Sequence, residues 1–443
     1  MLNAAAAHPL HADPHLGQTS VRAAAAVFLA AFALNAAFAF WLYGAGAFND
    51  FNRIFETDPN VRLAEIASGW SAGGQLHWRL PQSLHALMPY LFTVPIRAVA
   101  ALAGALGYDA PPEQLRNHLG LLVMPLANAA SAAMLSLLYS RLGVAGWRLA
   151  AANALTLVTF SNTVFGSVPD HFALTRTAAI ASLWLVMPAA AGTGRGPAVR
   201  SPLVWLALAI FAAGVTVTNA AFIATSRFAA EWGQGARLMP AVRRGLWVAV
   251  LGAVIAVSIG TGLALLRQGT PEPAPGHLAK WLTLPSPARL SAVLGAVGES
   301  FVPLELVDKA IQYKGNVWPT ILLASTLDIR PASLALAAAV LVLTAWSAAR
   351  LVRAVPAARW LVLASALQFA GLSLFFIWGD APFLYSPHWL GGQQVLLAGL
   401  FIATDSPSDR PAWFSALALL LAAAVASLLA WRFVVQAVLA PVA

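Results

Sequence analysis

Three acidic side chains lie close together in the first fifth of the sequence, and they suit acid–base chemistry. Asp50, Glu56 and Asp58 fall within one stretch of nine residues. A carboxylate can remove a proton from an attacking hydroxyl group that lies within hydrogen-bond reach. Asp58 is followed by Pro59, a pair typical of a helix start with aspartate as N-cap. We therefore expect Asp58 either to cap a short helix or to act as a general base, with Asp50 and Glu56 as alternative bases.

Basic and histidine side chains near these acids and further along the chain could bind a phosphate or a sugar. Positive charge stabilises the negative charge that develops on a phosphate leaving group. The same cations could instead anchor the chain to anionic lipid headgroups, and both interpretations stay open. The candidate donor- and acceptor-binding residues are Arg53, Arg62, His85, Lys309, Lys314 and His388.

The elements that must position these side chains are membrane helices. Hydrophobic residues make up 60% and charged residues 10% of the 443 residues, whereas a soluble domain carries about 25% charge. Apolar runs of the ~20 residues that cross a bilayer recur along the chain. We predict an all-α, polytopic membrane bundle of about eleven spans, forming one transmembrane domain over 1–443. The predicted spans lie near 22–43, 83–106, 118–138, 149–166, 171–191, 203–226, 245–266, 332–348, 361–378, 389–404 and 412–432.

Arginine-rich connections predict the orientation of the bundle. The segments 227–244 and 349–360 are rich in arginine and are expected to be cytoplasmic. The N-terminus then lies inside, and the first loop (44–82) and the second loop (267–331) lie on the outer face. These two loops hold nine of the seventeen carboxylates, which favours an enzyme at the membrane surface over a carrier with charges at the midplane. The residues that this orientation leaves outside, against the rule, are Arg141, Arg148, Arg195 and Arg200.

The two loops are expected to contain short interfacial helices. The stretch 61–69 is amphipathic and predicts a helix lying in the interface, with Arg62 on its polar side. Prolines in the second loop predict short helices separated by turns. Within the spans, Pro89, Pro95 and Pro125 are expected to kink their helices.

Two further segments carry polar residues at helix junctions. In 159–175, Asp170 follows Val168 and Pro169, a Val-Pro-acid motif that resembles one at a helix junction in GT-C-like bacterial membrane proteins, or it simply caps the next helix. In 383–390, Tyr385, His388 and Trp389 predict an outer turn. These three side chains could form an ordinary interfacial aromatic belt, or His388 could lie at the rim of the active site.

The first loop resembles that of the GT-C glycosyltransferases. Asp58, the stretch RLAEIA at 62–67, the Trp-Arg-x-Pro stretch at 78–81 and the next span follow in the family's order. The likeness is to the group that uses polyprenyl-phosphate sugars, which includes aminoarabinose and protein mannosyl transferases. That group has an Asp-Glu pair and a Pro-Pro-Leu motif, whereas this chain has Pro59 in place of the Glu and His85 with Pro89 near the second span.

The resemblance implies a membrane glycosyltransferase with an aspartate as general base. It implies a polyprenyl-phosphate-linked sugar donor, a lipid, glycan or protein acceptor, and a bacterial inner membrane with the active face toward the periplasm. No cofactor is expected, although carboxylates alone could bind a divalent cation. Membrane lipids are further partners, and the scattered basic residues do not form a nucleic-acid surface despite the net charge of +9.

Three other functions remain as alternatives. A lipid-linked glycan ligase or polymerase of the O-antigen type would depend on outer arginines and a histidine. A transporter or flippase would need ionisable residues at mid-membrane. The fourth interpretation is a membrane scaffold without chemistry.

Overall fold

The structure is a computed structural model of the chain, and its described part is a bundle of α-helices. The described residues are 14–49, 53–55, 57, 59–68, 87–108, 112–190, 201–268, 287–313, 316–327, 330–375, 382–404 and 407–440. The helices of the first half are α1 (Pro14–Gly44), α2 (Pro59–Ser68), α3 (Met88–Ala105), α4 (Pro112–Leu121), α5 (Val123–Arg141), α6 (Gly146–Val158), α7 (Phe160–Ser167), α8 (Phe172–Ala190), α9 (Pro202–Val215) and α10 (Ala220–Gly233). Those of the second half are α11 (Leu238–Gln268), α12 (Pro287–Glu299), α13 (Ala324–Leu327), α14 (Pro331–Ala354), α15 (Arg359–Phe375), α16 (Pro387–Leu397) and α17 (Asp409–Leu439).

The lengths of the helices show a membrane protein. Among the described residues, five helices are long and apolar enough to cross a membrane, and the pair α6–α7, bent by 56°, would make a sixth. The five are Gly17–Gly44, Glu113–Arg141, Leu238–Leu263, Pro331–Ala354 and Asp409–Leu439. The other apolar helices have at most 19 residues within the described part of the chain, fewer than the ~20 that cross the hydrocarbon alone. The helical membrane class is therefore confirmed, and the predicted eleven spans are not.

The predicted single span at 203–226 is wrong, because the chain turns back inside it. α9 ends at Val215, a 3-10 turn follows, and α10 begins at Ala220. The guanidinium of Arg227 in α10 lies 5.3 Å from the ring centroid of Trp205 in α9. Since these residues are 22 positions apart, the two helices run side by side rather than as one rod.

The three prolines that were expected to kink their helices lie at different places relative to the helix ends. α4 ends at Leu121 and α5 begins at Val123, two residues before Pro125, so a one-residue interruption of the 113–141 span lies beside this proline. Pro95 lies inside α3. Pro89 lies in the first turn of α3, where the missing N–H is not needed by the helix. The predicted kink at Pro89 is therefore wrong.

The second loop contains two short helices, α12 and α13, as predicted, and also a β-hairpin that was not predicted. Strands β1 (Leu306–Tyr313) and β2 (Asn316–Leu323) pair antiparallel, with Tyr313 opposite Asn316. Both strands are rich in β-branched and aromatic residues, which favour extended backbone. The backbone of Ile54 forms a parallel bridge with Ile321 of β2. The first loop and the second loop thus meet at one end of the bundle.

Helix α17 runs from this end of the bundle to the opposite end. Near its C-terminus, the Ala437 carbonyl accepts a hydrogen bond from Arg53 Nη2 at 2.6 Å. At its N-terminus, Asp409 forms ion pairs with Arg148, at 2.6 Å, and with Arg350, at 3.1 Å. Arg148 therefore lies with Arg350, in a predicted cytoplasmic segment, and its expected position on the side of the long loops is wrong.

Candidate functional site

Four buried ionisable side chains come together where three parts of the chain meet. We call Arg62, Asp170, His171 and His388 the polar cluster. Arg62 lies on α2, Asp170 and His171 lie in the turn before α8, and His388 lies in the first turn of α16. Their exposed fractions are 8%, 4%, 9% and 5%, respectively. Charge is costly to bury, so such a cluster persists only where its members pair with one another.

The centre of the cluster is the contact between Asp170 and His171. Asp170 Oδ1 lies 2.6 Å from Nδ1 of the His171 ring and accepts the His171 backbone N–H, also at 2.6 Å. α7 ends at Ser167, ahead of Val168 and Pro169, because the residue before a proline is disfavoured in a helix. The carboxylate thus holds its neighbouring histidine. The expected cap on the first turn of α8 stays a prediction.

Asp170 remains ionised in this buried position. Burial alone raises the pKa of a carboxyl group, because the charged form loses its solvation. The charge of His171, the hydrogen bonds from its ring and backbone, and the Arg62 guanidinium 3.9 Å away outweigh that penalty and hold the pKa of Asp170 below its usual value. The cluster therefore contains a permanent carboxylate at neutral pH.

His388 is the neutral member of the cluster. Its Nδ1 lies 3.1 Å from the carbonyl oxygen of Tyr385, and its ring packs near Phe172 and Phe222. Burial, reinforced by the nearby charge of His171, lowers the pKa of His388 to about 3. His388 and Trp389 are 5% and 2% exposed. These two side chains lie in the interior rather than in an interfacial aromatic belt.

Helix α2 carries Arg62 into the interior. α2 starts at Pro59, as the Asp58–Pro59 pair predicts. Leu63 and Ile66 are buried. The Ile66 carbonyl accepts a hydrogen bond from the hydroxyl group of Thr93 in α3, at 3.3 Å. A side chain at Gly120 would lie 2.9 Å from Leu63, so α4 approaches α2 closely. Arg62 is therefore buried rather than on a water-facing side of α2, and the location of α2 at the membrane interface stays a prediction.

A second buried cation lies on α8, one turn beyond the polar cluster. Arg176 is 2% exposed and donates to Asn128 Oδ1 at 2.5 Å and to Gln394 Oε1 at 2.8 Å. No salt bridge of the described residues includes it. Arg176 was not among the predicted site residues, and its only signal in the sequence is that it is a lone arginine in an apolar run.

Arg53 fixes the first loop onto the second. Its Nη1 and Nη2 donate to the two carboxylate oxygens of Asp308 at 2.6 and 3.0 Å. The adjacent Phe55 has a φ of 49°, the left-handed region that non-glycine residues rarely adopt, and packs against Phe160 and Phe383. A strained residue held this firmly often marks a functional segment.

Of the remaining predicted site residues, only one lies in the described part of the chain. Lys309 is exposed on β1. Asp50, Glu56, Asp58, His85 and Lys314 lie outside the described residues. Thr57 is 1% exposed, and Pro59 is also buried.

Neither a search for metal-binding groups nor comparisons with known proteins assign a function to the polar cluster. No group of three or more His, Asp or Glu side chains suited to a metal occurs in the part of the chain that the structure describes. Comparisons with protein-family models, with curated proteins and with solved structures find no match. The fold and the site define a helical membrane protein with a buried acid–histidine cluster at one end.

Proposed function

We propose that the protein is a membrane glycosyltransferase that takes its sugar from a polyprenyl-phosphate-linked donor. The observation that supports this most is the 3.9 Å approach of Arg62 to Asp170. It brings α2, which begins directly after Asp58, against the junction before α8. An acid-bearing loop and a buried acid–histidine pair thus belong to one end of the bundle, as a surface enzyme requires. The acceptor is a lipid, glycan or protein at the periplasmic face of a bacterial inner membrane.

In this proposal, Asp58 removes the proton from the acceptor hydroxyl as the new bond to the sugar forms. Asp50 and Glu56 are the alternative bases. Lys309 and Lys314 neutralise the donor phosphate, because preorganised cations stabilise a charged leaving group. Arg53 and Arg62 are engaged by carboxylates, so they position the loop rather than bind the phosphate.

A transporter or flippase is the second candidate. Arg176 favours it, because a buried cation inside a membrane bundle often marks a transport path. The glycan ligase reading has less support, since Arg53 and Arg62 of the first loop are already paired. Transport and transfer differ in one measurable respect, which is whether the lipid carrier is released from its sugar.

The experiment measures release of undecaprenyl phosphate, the product whichever sugar is transferred. Proteoliposomes are supplied with a panel of undecaprenyl-phosphate sugars and a membrane lipid extract as acceptor. Asp58→Asn is expected to slow release by about 10²–10⁴-fold, the contribution of a general base. Asp50→Asn serves as the matched control and should keep most activity. An inactive Asp50→Asn with an active Asp58→Asn would move the base to Asp50. No release from any donor would leave the transporter as the better proposal.

A further inference from the structure

Helix α11 packs against α10 with one face and leaves the opposite face exposed. Gly245 lies on the packed face, where an added side chain would come within 2.5 Å of the Ala224 carbonyl oxygen. The exposed face carries Met239, Leu246 and Trp247, each more than half exposed. Because α11 is long and apolar enough to cross the membrane, lipid can cover these side chains.

This exposed face contains a groove of about 700 Å³ along the first turns of α11. Its volume lies in the range of ~300–1,000 Å³ that is common for ligand sites. Met239, Leu246 and Trp247 line the groove together with Arg243, which is the one charged residue among the described residues of the lining. The groove therefore combines a single cation with an apolar wall.

The acidic residue on the neighbouring helix does not neutralise the charge of Arg243. Glu231 on α10 forms ion pairs with Arg227 and, at 2.6 Å, with Arg244. No ion pair in the described part of the chain includes Arg243. The first turn of α11 contains no acid, and the positive end of the helix dipole lies there. An anion in the groove would therefore meet positive charge from the arginine and from the start of the helix.

The groove lies at the end of the bundle opposite the β-hairpin. The rings of Trp232, in the last turn of α10, and Trp360, in the first turn of α15, are 5.4 Å apart, so the α10–α11 and α14–α15 connections are neighbours. Arg350, near the end of α14, pairs with Asp409 at the N-terminus of α17. Both connections belong to the segments predicted to be cytoplasmic, where anionic lipids attract basic residues. Tryptophan at the level of the lipid headgroups is typical of such a boundary.

We propose that the groove binds an anionic phospholipid, whose phosphate contacts Arg243 and whose chains lie along Leu246 and Trp247. The inference does not depend on the proposed glycosyltransferase function. A long arginine side chain can lie along an apolar surface and still reach a headgroup. Phosphatidylglycerol carries a net negative charge, whereas the ammonium group of phosphatidylcholine cancels the charge of its phosphate. A groove with one cation and no acid among its described lining residues should prefer the anionic lipid.

The test is binding of single phospholipids to the full chain in nonionic detergent, quantified by native mass spectrometry. Detergent removes the surface potential of a bilayer, so only a site on the protein can distinguish the lipids. The wild type should bind phosphatidylglycerol about tenfold more tightly than phosphatidylcholine with the same chains, the effect of one charge-assisted hydrogen bond. Arg243→Gln should remove most of this preference. Arg353→Gln, which removes an exposed arginine at the same end of the bundle but outside the groove, is the matched control and should keep it.

An equal loss of preference in both variants would show diffuse attraction to the basic end of the bundle, and the proposal would be overturned. A wild type that does not distinguish the two lipids would overturn it too. Glycerol phosphate, which has the charge but no chains, should not bind at lipid concentrations that fill the site. If it binds as tightly as the lipid, the groove is a site for anions and the lipid assignment is wrong. Arg243 is exposed, so Arg243→Gln should fold as the wild type does, and the wild-type comparison of the two lipids decides the proposal if it does not.

Discussion

Arg53 and Asp308 form a two-point ion pair between residues that are 255 positions apart in the sequence, with nitrogen–oxygen distances of 2.6 and 3.0 Å. The pair joins the first loop to strand β1, and Arg53 also reaches the Ala437 carbonyl at the end of α17. One arginine therefore fixes three distant parts of the chain. The two partners differ in burial, since the side chains of Arg53 and Asp308 are 7% and 34% exposed.

This asymmetry predicts unequal effects of the two substitutions. Asp308→Asn leaves the buried guanidinium without its carboxylate and should lower the free energy of unfolding by about 2–4 kcal/mol. Arg53→Gln leaves a carboxylate that water reaches, and should cost about 1 kcal/mol. Thermal unfolding of each variant in detergent measures the order. A larger loss in Arg53→Gln would mean that the Ala437 contact, not the ion pair, dominates.

The position of the two loops predicts a labelling pattern in this cysteine-free chain. Ala310, on β1, and Ala145, just before α6, are both exposed and belong to opposite ends of the bundle. In right-side-out vesicles, Ala310→Cys should react with an impermeant thiol reagent, and Ala145→Cys should react only after the membrane is opened. The reverse pattern would invert the predicted orientation, and labelling of both from outside would contradict the two-ended arrangement.

Burial of His388 predicts a loss of stability in mild acid. The unfolded chain protonates this residue near pH 6.5, whereas the folded chain keeps it neutral to about pH 3. The unfolded state therefore binds more protons between these values, and stability falls as the pH drops through that window, by about 2 kcal/mol at pH 5. The pKa of Asp170 is lowered by folding as well, so its stabilising contribution is also lost as the pH falls, but only below about pH 4, where the unfolded carboxyl group becomes protonated.

His388→Gln removes the titrating group and should flatten the dependence of the unfolding midpoint on pH from 7 to 5. Unfolding curves of the wild type and the variant at pH 7, 6 and 5 provide the measurement. A variant with the same slope as the wild type would place the acid sensitivity in another histidine.

Close packing at Gly166 in α7 predicts a strong effect of a single methyl group. An added Cβ would lie 2.5 Å from Asn128 Nδ2 and 2.6 Å from Asn35 Oδ1, both buried side chains. Gly166→Ala should therefore lower the free energy of unfolding by about 1–3 kcal/mol through overpacking. Gly104→Ala in α3, where nothing lies within 4 Å, is the matched control and should be neutral or slightly stabilising. Equal stability of the two variants would show that α7 can shift.

The sequence by itself determined the class of protein and the positions at which some of its helices start or are interrupted. Sixty per cent hydrophobic residues leave no water-facing surface for a soluble domain. The start of α2 at Pro59 and the break beside Pro125 follow from backbone chemistry that acts within one turn. These features depend on neighbours in the sequence, so the sequence suffices for them.

Only the tertiary structure decided which residues meet. In an apolar bundle, the residues of a helix are hydrophobic on every side, so no periodic pattern shows which face is buried. The turn at 216–219, the β-hairpin at 306–323 and the inward position of Arg62 all depend on contacts with distant segments. The pairing of Arg62 with Asp170 joins residues 108 positions apart, and rules that act between neighbouring residues cannot predict such a contact. The polar cluster is therefore a property of the packed helices, although Arg62, Asp170 and His388 could be named from the sequence and only His171 was missed.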